Sequence, residues 1–213
     1  MKFEKISLEQ FTKDYNSQDA KEIYDKIKLP AKATKGSKGY DFFAPMTFVM
    51  APGTSMVINT GIKCQLDDDK GLFIFPRSGL GFKYMLQLAN TVGIIDVDYY
   101  GNESNEGHIK IKLHNGGDKI VKIAQGTAFA QGIILQCFDV EETEEPTKTR
   151  VGGFGSTTAP SYSQQYETVD GFEYSESQSS GLYNTFKDIT TDYEPKVNMN
   201  ITVDNVNVEV NDD

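Results

Sequence analysis

Three textures of hydrophobic and polar positions divide the chain. In the first, residues 1–30, positions 2–6 fit a short strand. Ser7 with Gln10 then has the spacing of a capping box, and Leu8, Phe11 and Tyr15 follow at helical intervals. Ser17 offers a second cap, Ala20, Ile23, Tyr24 and Ile27 mark one face, and Pro30 closes the segment. The pattern predicts two short helices over residues 7–29. An addition that packs on the body accounts for them, and a function of their own is the alternative. Residues 31–38 are Lys-, Gly- and Ser-rich and read as a loop.

The second texture runs from 39 to about 138. Short apolar or alternating runs are punctuated by Pro52-Gly53, by the DDDKG cluster at 67–71, by Asn115-Gly116-Gly117 and by Gly126. Many short strands with regular turn signals predict an all-β barrel or jelly roll with no long helix. The third texture begins at 139. Residues 139–149 are charged, contain Pro146 and read as an extended linker, and RVGGFGST follows at 150–157. Residues 159–180, rich in Ser, Gln, Tyr and Glu, are expected to be disordered. Near the end, Val197, Met199, Ile201 and Val203 alternate with polar residues, as do Val206, Val208 and Val210 after Asp204-Asn205. A two-residue turn would pair Ile201 with Val208 and Met199 with Val210. Such a hairpin is marginal alone in water, so it is expected to dock or self-associate.

Composition narrows the class. A chain of 213 residues with 38% hydrophobic content allows one domain with appendages or two small ones. No apolar run approaches the roughly 18 residues of a membrane-spanning helix, and Met1 to Lys5 lack the apolar core of a secretion signal. A cytoplasmic protein is expected. Cys64 and Cys137 both fall in apolar, strand-like segments and read as buried free thiols. The net charge of −10 is uneven: residues 159–213 hold eleven Asp/Glu and two Lys, hence −9, which leaves −1 for residues 1–158. An acidic tail argues against nucleic-acid binding through that segment.

Candidate chemistry concentrates in residues 71–101, GLFIFPRSGLGFKYMLQLANTVGIIDVDYYG. Leu72 to Phe75 read as a buried strand stopped by Pro76. Arg77-Ser78-Gly79 then offers a planar fork of donors, a hydroxyl and a backbone that a ligand can approach, which suits phosphate oxygens. A second apolar segment ends at Asp96, which places a carboxylate at the end of a strand. A phosphate grip with a strand-end carboxylate suggests hydrolysis of a phosphorylated small molecule.

PRSGLG at 76–81 and GIIDVDYYG at 93–101 resemble the second and third motifs of the trimeric dUTP pyrophosphatases (dUTPases). GYDFFAP at 39–45, GTAFAQ at 126–131 and RVGGFGST at 150–157 resemble the first, fourth and fifth, in the family's order. The resemblance covers roughly residues 30–158. It implies an all-β, distorted jelly-roll (β-clip) core over residues 31–138. Around this core are the N-terminal strand and helical insertion of residues 1–30, a C-terminal arm at 139–158 and an acidic tail at 159–213. It also implies conversion of dUTP to dUMP and pyrophosphate, with Mg²⁺ held by the phosphates and water rather than directly by protein. A homotrimer with shared sites is implied as well.

Residue by residue, the resemblance makes Asp96 the general base that activates the attacking water. Arg77, Ser78 and Gly79 grip the phosphates. Asn90 and the backbone of Gly93, Ile94 and Ile95 read uracil, and Tyr99 packs on the deoxyribose and leaves no space for a 2′-hydroxyl. Tyr100 suits a core position better. Counting back from Asn115 puts Lys110 where the family holds uracil by backbone. Gln131 is the fourth-motif Gln, although Thr127 and Ala128 replace the usual acidic–Arg pair, which puts a family salt bridge in doubt. Asp41 supports the phosphates or their metal, with a turn-supporting role as the alternative. Asp98, if the strand continues, faces the same side as Asp96 and holds the hairpin or a neighbouring subunit. In the arm, Phe154 stacks on uracil, and Gly155, Ser156 and Thr157 close over the phosphates. Arg150 meets the γ-phosphate, although it stands one residue nearer the glycine pair than in the family. No Gly-Lys-Ser/Thr follows these glycines, so this is not a Walker loop.

The chain also departs from the family by about six residues, NESNEG at 102–107, before His108. A solvated loop accounts for them better than a metal role for Glu103 and Glu106. His108 and His114 match no motif and read as ordinary strand or surface residues. Two other readings compete with dUTP hydrolysis. One is a dCTP deaminase, which shares the fold but works through a Glu in a different motif context. The other is an interaction or regulatory protein whose partner binds the inserts and tail.

Overall fold

The computed structural model describes residues 1–141. Arg150 and the Phe154 to Thr157 segment lie outside the described residues, as do most of the arm and the whole tail with its hairpin. The described chain runs β1 (Lys2–Lys5), α1 (Leu8–Tyr15), α2 (Ala20–Lys26), β2 (Tyr40–Phe43), β3 (Phe48–Met50), β4 (Ser55–Asn59), β5 (Ile62–Gln65), β6 (Lys70–Pro76), α3 (Ser78–Tyr84), β7 (Leu86–Leu88), β8 (Gly93–Ile95), β9 (Lys110–Asn115), β10 (Val121–Ile123) and β11 (Ala128–Gln136). A single 3₁₀ turn, Val97–Tyr99, follows β8.

The strands form small antiparallel sheets, as a jelly roll requires. A four-stranded sheet has the order β2-β11-β6-β8 and a three-stranded one β4-β9-β7, while β1 pairs with β5 and β10 with β3. Alternation sets the inner face: in β9 Ile111, Leu113 and Asn115 are buried while Lys112 is exposed. Phe42, Leu72, Ile74, Phe129 and Ala130 of the four-stranded sheet lie in the centre of the core. Gly132 fits there because a Cβ would press on Leu72 and Phe42 at 2.8 and 2.9 Å.

Both N-terminal helices form. Ser7 caps α1 as expected, its Oγ accepting the Gln10 N–H at 3.0 Å. The cap expected at Ser17 is not there: Asp19 precedes α2 and makes no side-chain cap bond, and Ser17 Oγ accepts the Asp19 N–H in the turn ahead of the helix. Both helices share the one core. Phe11 is fully buried and stacks on Tyr15 with centroids 5.5 Å apart, and Ile6, Ala20 and Ile27 join Phe42 and Leu113 in a single cluster. Gly61, at φ +72°, turns the chain under them, where a Cβ would lie 2.3 Å from Ile27 Cδ1.

One short element was not expected, and one expectation needs correction. The stretch after Pro76 is helical: α3 spans a sequence with two glycines, each costing about 1 kcal/mol of helix propensity, and buries no side chain. Neither periodicity nor propensity marks it. It is set by its ends, extended Arg77 before it and left-handed Met85 after it. Cys64 is buried in β5, where burial pushes its thiol up to about 12, but Cys137 is exposed because β11 stops one residue short of it. Among the described residues no helix is long and apolar enough to cross a membrane.

If α1 is part of the core, Phe11→Ala should cost about 3–5 kcal/mol in urea unfolding, the usual loss for a large buried aromatic. A helix that only decorates the surface would cost within about 0.5 kcal/mol.

Candidate active site

The residues expected to grip phosphate meet at one end of the four-stranded sheet. Asp41 on β2 faces Gln131 on β11, which faces Phe75 on β6, so one ladder row brings the first and fourth motifs beside the second. Arg77 follows the last residue of β6. Its Nε lies 3.3 Å from Asp41 Oδ1 and its Nη1 donates to the Ala128 carbonyl at 3.4 Å. Gln131 Nε2 donates to the Pro76 carbonyl at 3.1 Å and so fixes the strand end from which Arg77 departs. Asp41 thus holds the Arg77 guanidinium by charge, while the Ala128 carbonyl engages one donor on Nη1. Ser78 and Gly79 are exposed in the first turn of α3, where backbone N–H groups have no carbonyl one turn behind them.

A second group of residues surrounds the β7–β8 connection; the two strands do not form the expected hairpin, since β7 pairs with β9 and β8 with β6. Asn90 is exposed in the connecting turn, whose shape is set by Thr91 N–H to the Leu88 carbonyl, Val92 N–H to the Asn90 carbonyl at 2.7 Å, and Thr91 at φ +66°. The Ala89 N–H ties the turn to Lys112 of β9. Gly93 permits β8 to lie close on β6, since a Cβ would stand 3.2 Å from that of Ile74. β8 is the terminal strand of its sheet, paired only with β6 among the described residues. The other edge of Gly93, Ile94 and Ile95 therefore carries backbone donors and acceptors outside the ladder.

Asp96 comes next, exposed at the end of β8. The strand does not continue past it. The chain turns through Val97–Tyr99, with Tyr99 N–H on the Asp96 carbonyl, so the expectation that Asp98 shares a strand face with Asp96 is wrong. Of the two tyrosines, Tyr99 is the buried one, 6% exposed, and Tyr100 is half-buried with its hydroxyl on Glu4. The Tyr99 hydroxyl donates to the His108 carbonyl at 2.8 Å and accepts from Asn105 Nδ2 at 3.0 Å.

The loop at 102–107 is solvated only at its tip, Glu103 and Ser104. Asn102 and Asn105 are buried, and Glu106 accepts from both the backbone and the hydroxyl of Ser7 and from Lys63. His108, read from sequence as an ordinary residue, is fully buried. Its Nε2 accepts the Gly61 N–H at 2.8 Å, which leaves the proton on Nδ1 to be donated to Asp14 Oδ2 at 2.6 Å. Lys110 donates to Asp14 Oδ1 at 2.8 Å, so its side chain serves this cluster and only its backbone in β9 is left for a ligand. His114, half-buried in β9, bonds Ser55 Oγ. The signal for the buried network was a run of Asn, Gly and His ahead of an apolar strand, which reads locally as a turn. The partners that bury it come from α1, about ninety residues earlier.

The phosphate grip and Asp96 do not meet within one chain. Ile95 faces Leu72 near the start of β6, whereas Arg77 follows its far end. At about 3.3 Å per residue, Asp96 and Arg77 are some 15–20 Å apart along that strand. Among the described residues, no three His, Cys, Asp or Glu side chains cluster to hold a metal.

Residues 25–158 match the dUTPase family model. The chain belongs to the dUTPase family. It is 39% identical over 135 residues to the deoxyuridine 5'-triphosphate nucleotidohydrolase of Lactococcus lactis, covering 62% of this chain and 89% of the relative. It is 36% identical over 147 residues to that of Hahella chejuensis, covering 64% and 91%. Among solved structures, the dUTPase of Streptococcus mutans superposes with a TM-score of 0.54 at 30% identity, covering 67% of this chain and all of the neighbour. The dUTPase match begins at residue 25, so Ser7 and Asp14, which reach the 102–108 segment, lie before it.

Burial lowers the His108 imidazole below its ordinary 6.5 despite the opposing pull of Asp14. Burial pushes Asp14 the other way, but bonds from Lys110, His108 and Gln10 outweigh it and hold the carboxyl below its usual value. A histidine that binds its proton more weakly when folded gives full stability above 6.5 and loses it as pH falls below that value, with a slope of up to about 1.4 kcal/mol per pH unit. Asp14 adds its own loss only below 3.8. Urea unfolding should therefore give a midpoint that is flat from pH 8 to 7 and falls toward pH 5. His108→Gln should remove most of that fall, while His114→Gln should keep it.

Proposed function

We propose that this protein is a dUTP diphosphatase whose sites are each completed by more than one copy of the chain. The observation that carries the reading is the separation of the Arg77 grip from Asp96 at opposite ends of β6. A base and a phosphate grip so far apart cannot serve one substrate within one chain, so the Asp96 of one copy works on phosphates held by another. A closed homotrimer with head-to-tail contacts meets that need.

In this reading Arg77, Ser78 and Gly79 hold the triphosphate, with Asp41 and Gln131 fixing Arg77 and the strand end behind it. Asn90 and the open edge of β8 read uracil. A backbone acceptor or donor in fixed position rejects cytosine, whose 4-amino group reverses the polarity at that ring position. Tyr99 walls the deoxyribose against a 2′-hydroxyl. Asp96 takes a proton from a water as its oxygen bonds to the α-phosphorus, and the bond to the bridging oxygen breaks in line, which yields dUMP and pyrophosphate. Arg150, Phe154, Gly155, Ser156 and Thr157 complete the proposal as an arm closing over phosphates and base.

The donor set at the grip suits Mg²⁺ carried by the substrate. Asp41 is held by Arg77, so most oxygen ligands would come from phosphates and water, as this ion prefers. Bound there, Mg²⁺ would offset negative charge on the leaving pyrophosphate. The free thiols of Cys64 and Cys137 suit a reducing compartment and support a cytoplasmic setting.

Pyrophosphate release with Mg²⁺ should be seen from dUTP and far less from dCTP, dTTP or UTP. Asp96→Asn should lower it by about 10²–10⁴-fold. Ammonia from dCTP would move the assignment to the deaminase branch. Shared sites have a direct test. Asp96→Asn and Arg77→Ala should each be inactive alone, yet after co-refolding in equal amounts about a quarter of the sites should draw an intact Asp96 and an intact Arg77 from different copies. No recovery on mixing would show that a single chain holds a complete site.

A further inference from the structure

We infer that α1 and the 102–107 loop act together as a brace for Tyr99, and that Asn105 and Glu106 are positioning residues for the sugar-discriminating ring. The inference rests on the reading of Tyr99 as the wall of the deoxyribose pocket.

Tyr99 is held at both ends by this loop. Its hydroxyl accepts from Asn105 Nδ2 and donates to the His108 carbonyl, and its own carbonyl accepts from Asn102 Nδ2 at 2.9 Å. The two asparagines also hold each other, with Asn102 Nδ2 on Asn105 Oδ1 at 2.7 Å, and Asn105 Oδ1 accepts the Gly107 N–H at 2.9 Å. The loop backbone lies directly against that of Tyr99: at Gly107, φ +83°, a Cβ would stand 2.6 Å from the Tyr99 carbonyl oxygen. No residue with a side chain fits there, so loop and tyrosine are fixed relative to one another.

The loop is in turn fixed from outside. Glu106 binds the Ser7 N–H at 3.0 Å and the Ser7 hydroxyl, at the cap of α1, and Lys63 of β5 lies 3.3 Å away. One residue past the loop, His108 is clamped between Asp14 at the other end of α1 and the Gly61 N–H. Both ends of α1 thus grip the segment that carries the Tyr99 contacts. These α1 residues precede residue 25, where the family match begins. A ring held this way keeps its distance from the sugar. A loosened ring yields to the extra hydroxyl of a ribonucleotide, so the expected consequence lies in selectivity.

The test compares kcat/KM for dUTP and UTP in the full-length chain. Asn105→Asp keeps the acceptor for Asn102 and Gly107 and replaces the donor to Tyr99 with a carboxylate oxygen that competes with the His108 carbonyl for the Tyr99 hydroxyl proton, which shifts the ring's anchor. It should lower the dUTP/UTP ratio about tenfold, the scale expected when a positioning contact is lost. Glu106→Gln, on the half-exposed latch, should lower it in the same direction and serves where the buried substitution does not fold. In a Tyr99→Phe background, which lacks the hydroxyl, Asn105→Asp should change the ratio by no more than about twofold. A lower melting temperature with an unchanged ratio, or equal effects of Asn105→Asp with and without the Tyr99 hydroxyl, would overturn the inference and leave the loop as packing alone. Wild-type protein that does not hydrolyse dUTP would overturn the proposed function, and this inference with it.

Discussion

The ladder of β6 is the constraint on which the site depends. β6 is hydrogen-bonded on both sides, to β11 over seven residue pairs and to β8 over three, so its length and direction are fixed by the core. The residues of the proposed phosphate grip are attached to its exit: Arg77 by sequence, Gln131 through the Pro76 carbonyl, and Asp41 through the Arg77 guanidinium. The proposed base hangs from the neighbouring strand beside the other end. Side-chain rotation cannot close a gap of several residues along a paired strand. The geometry of one chain therefore argues for an assembly before any interface is considered.

A second constraint is the polar network under α1. Burying His108, Asp14, Asn102 and Asn105 costs free energy unless each is matched, and among the described residues no buried side-chain nitrogen or oxygen lacks a partner. Matching on this scale is directional. His108 must carry its proton on Nδ1 because Nε2 faces a backbone N–H, and Asp14 must be ionised to receive His108, Gln10 and Lys110 together. Such a network holds one arrangement of α1, the β4–β5 turn and the 102–108 segment, where an apolar core of equal size would tolerate several.

Much of this was legible in the sequence, and what was not has a common cause. The helices at 7–29 were readable from the Ser7 cap, which acts within three residues, and from the apolar spacing that follows, although the second helix starts after Asp19 rather than at a Ser17 cap. The strand content of 39–138 was readable from alternation. The Asp41–Arg77–Gln131 grouping was legible only through resemblance to the dUTPases, since nothing local says that positions 41, 77 and 131 share a ladder row. Several features escaped, three of them instructive. Helix α3 has the wrong propensity and no apolar face. The exposure of Cys137 turns on where β11 ends, to within one residue. The loop at 102–107 has a turn composition, yet it is buried by partners distant in sequence. Local pattern reports what a segment can do alone, and each of these was decided by what packs on it.

In the proposed site, specificity rests on a small structural choice, the open edge of β8. An unpaired strand edge is ordinarily a liability, a template for another strand. Here the strand is only three residues long, bounded by the Thr91 turn on one side and by the charge of Asp96 on the other, which limits what can add to it. Gly93 draws it onto Ile74 so that its backbone is rigidly placed. Backbone groups so fixed cannot rotate to suit a different base as an amide side chain can. In the proposed site, then, discrimination of uracil from cytosine follows from the refusal of a short edge strand to adapt. In the same proposal Asn90, on the turn, supplies the adjustable half of the recognition.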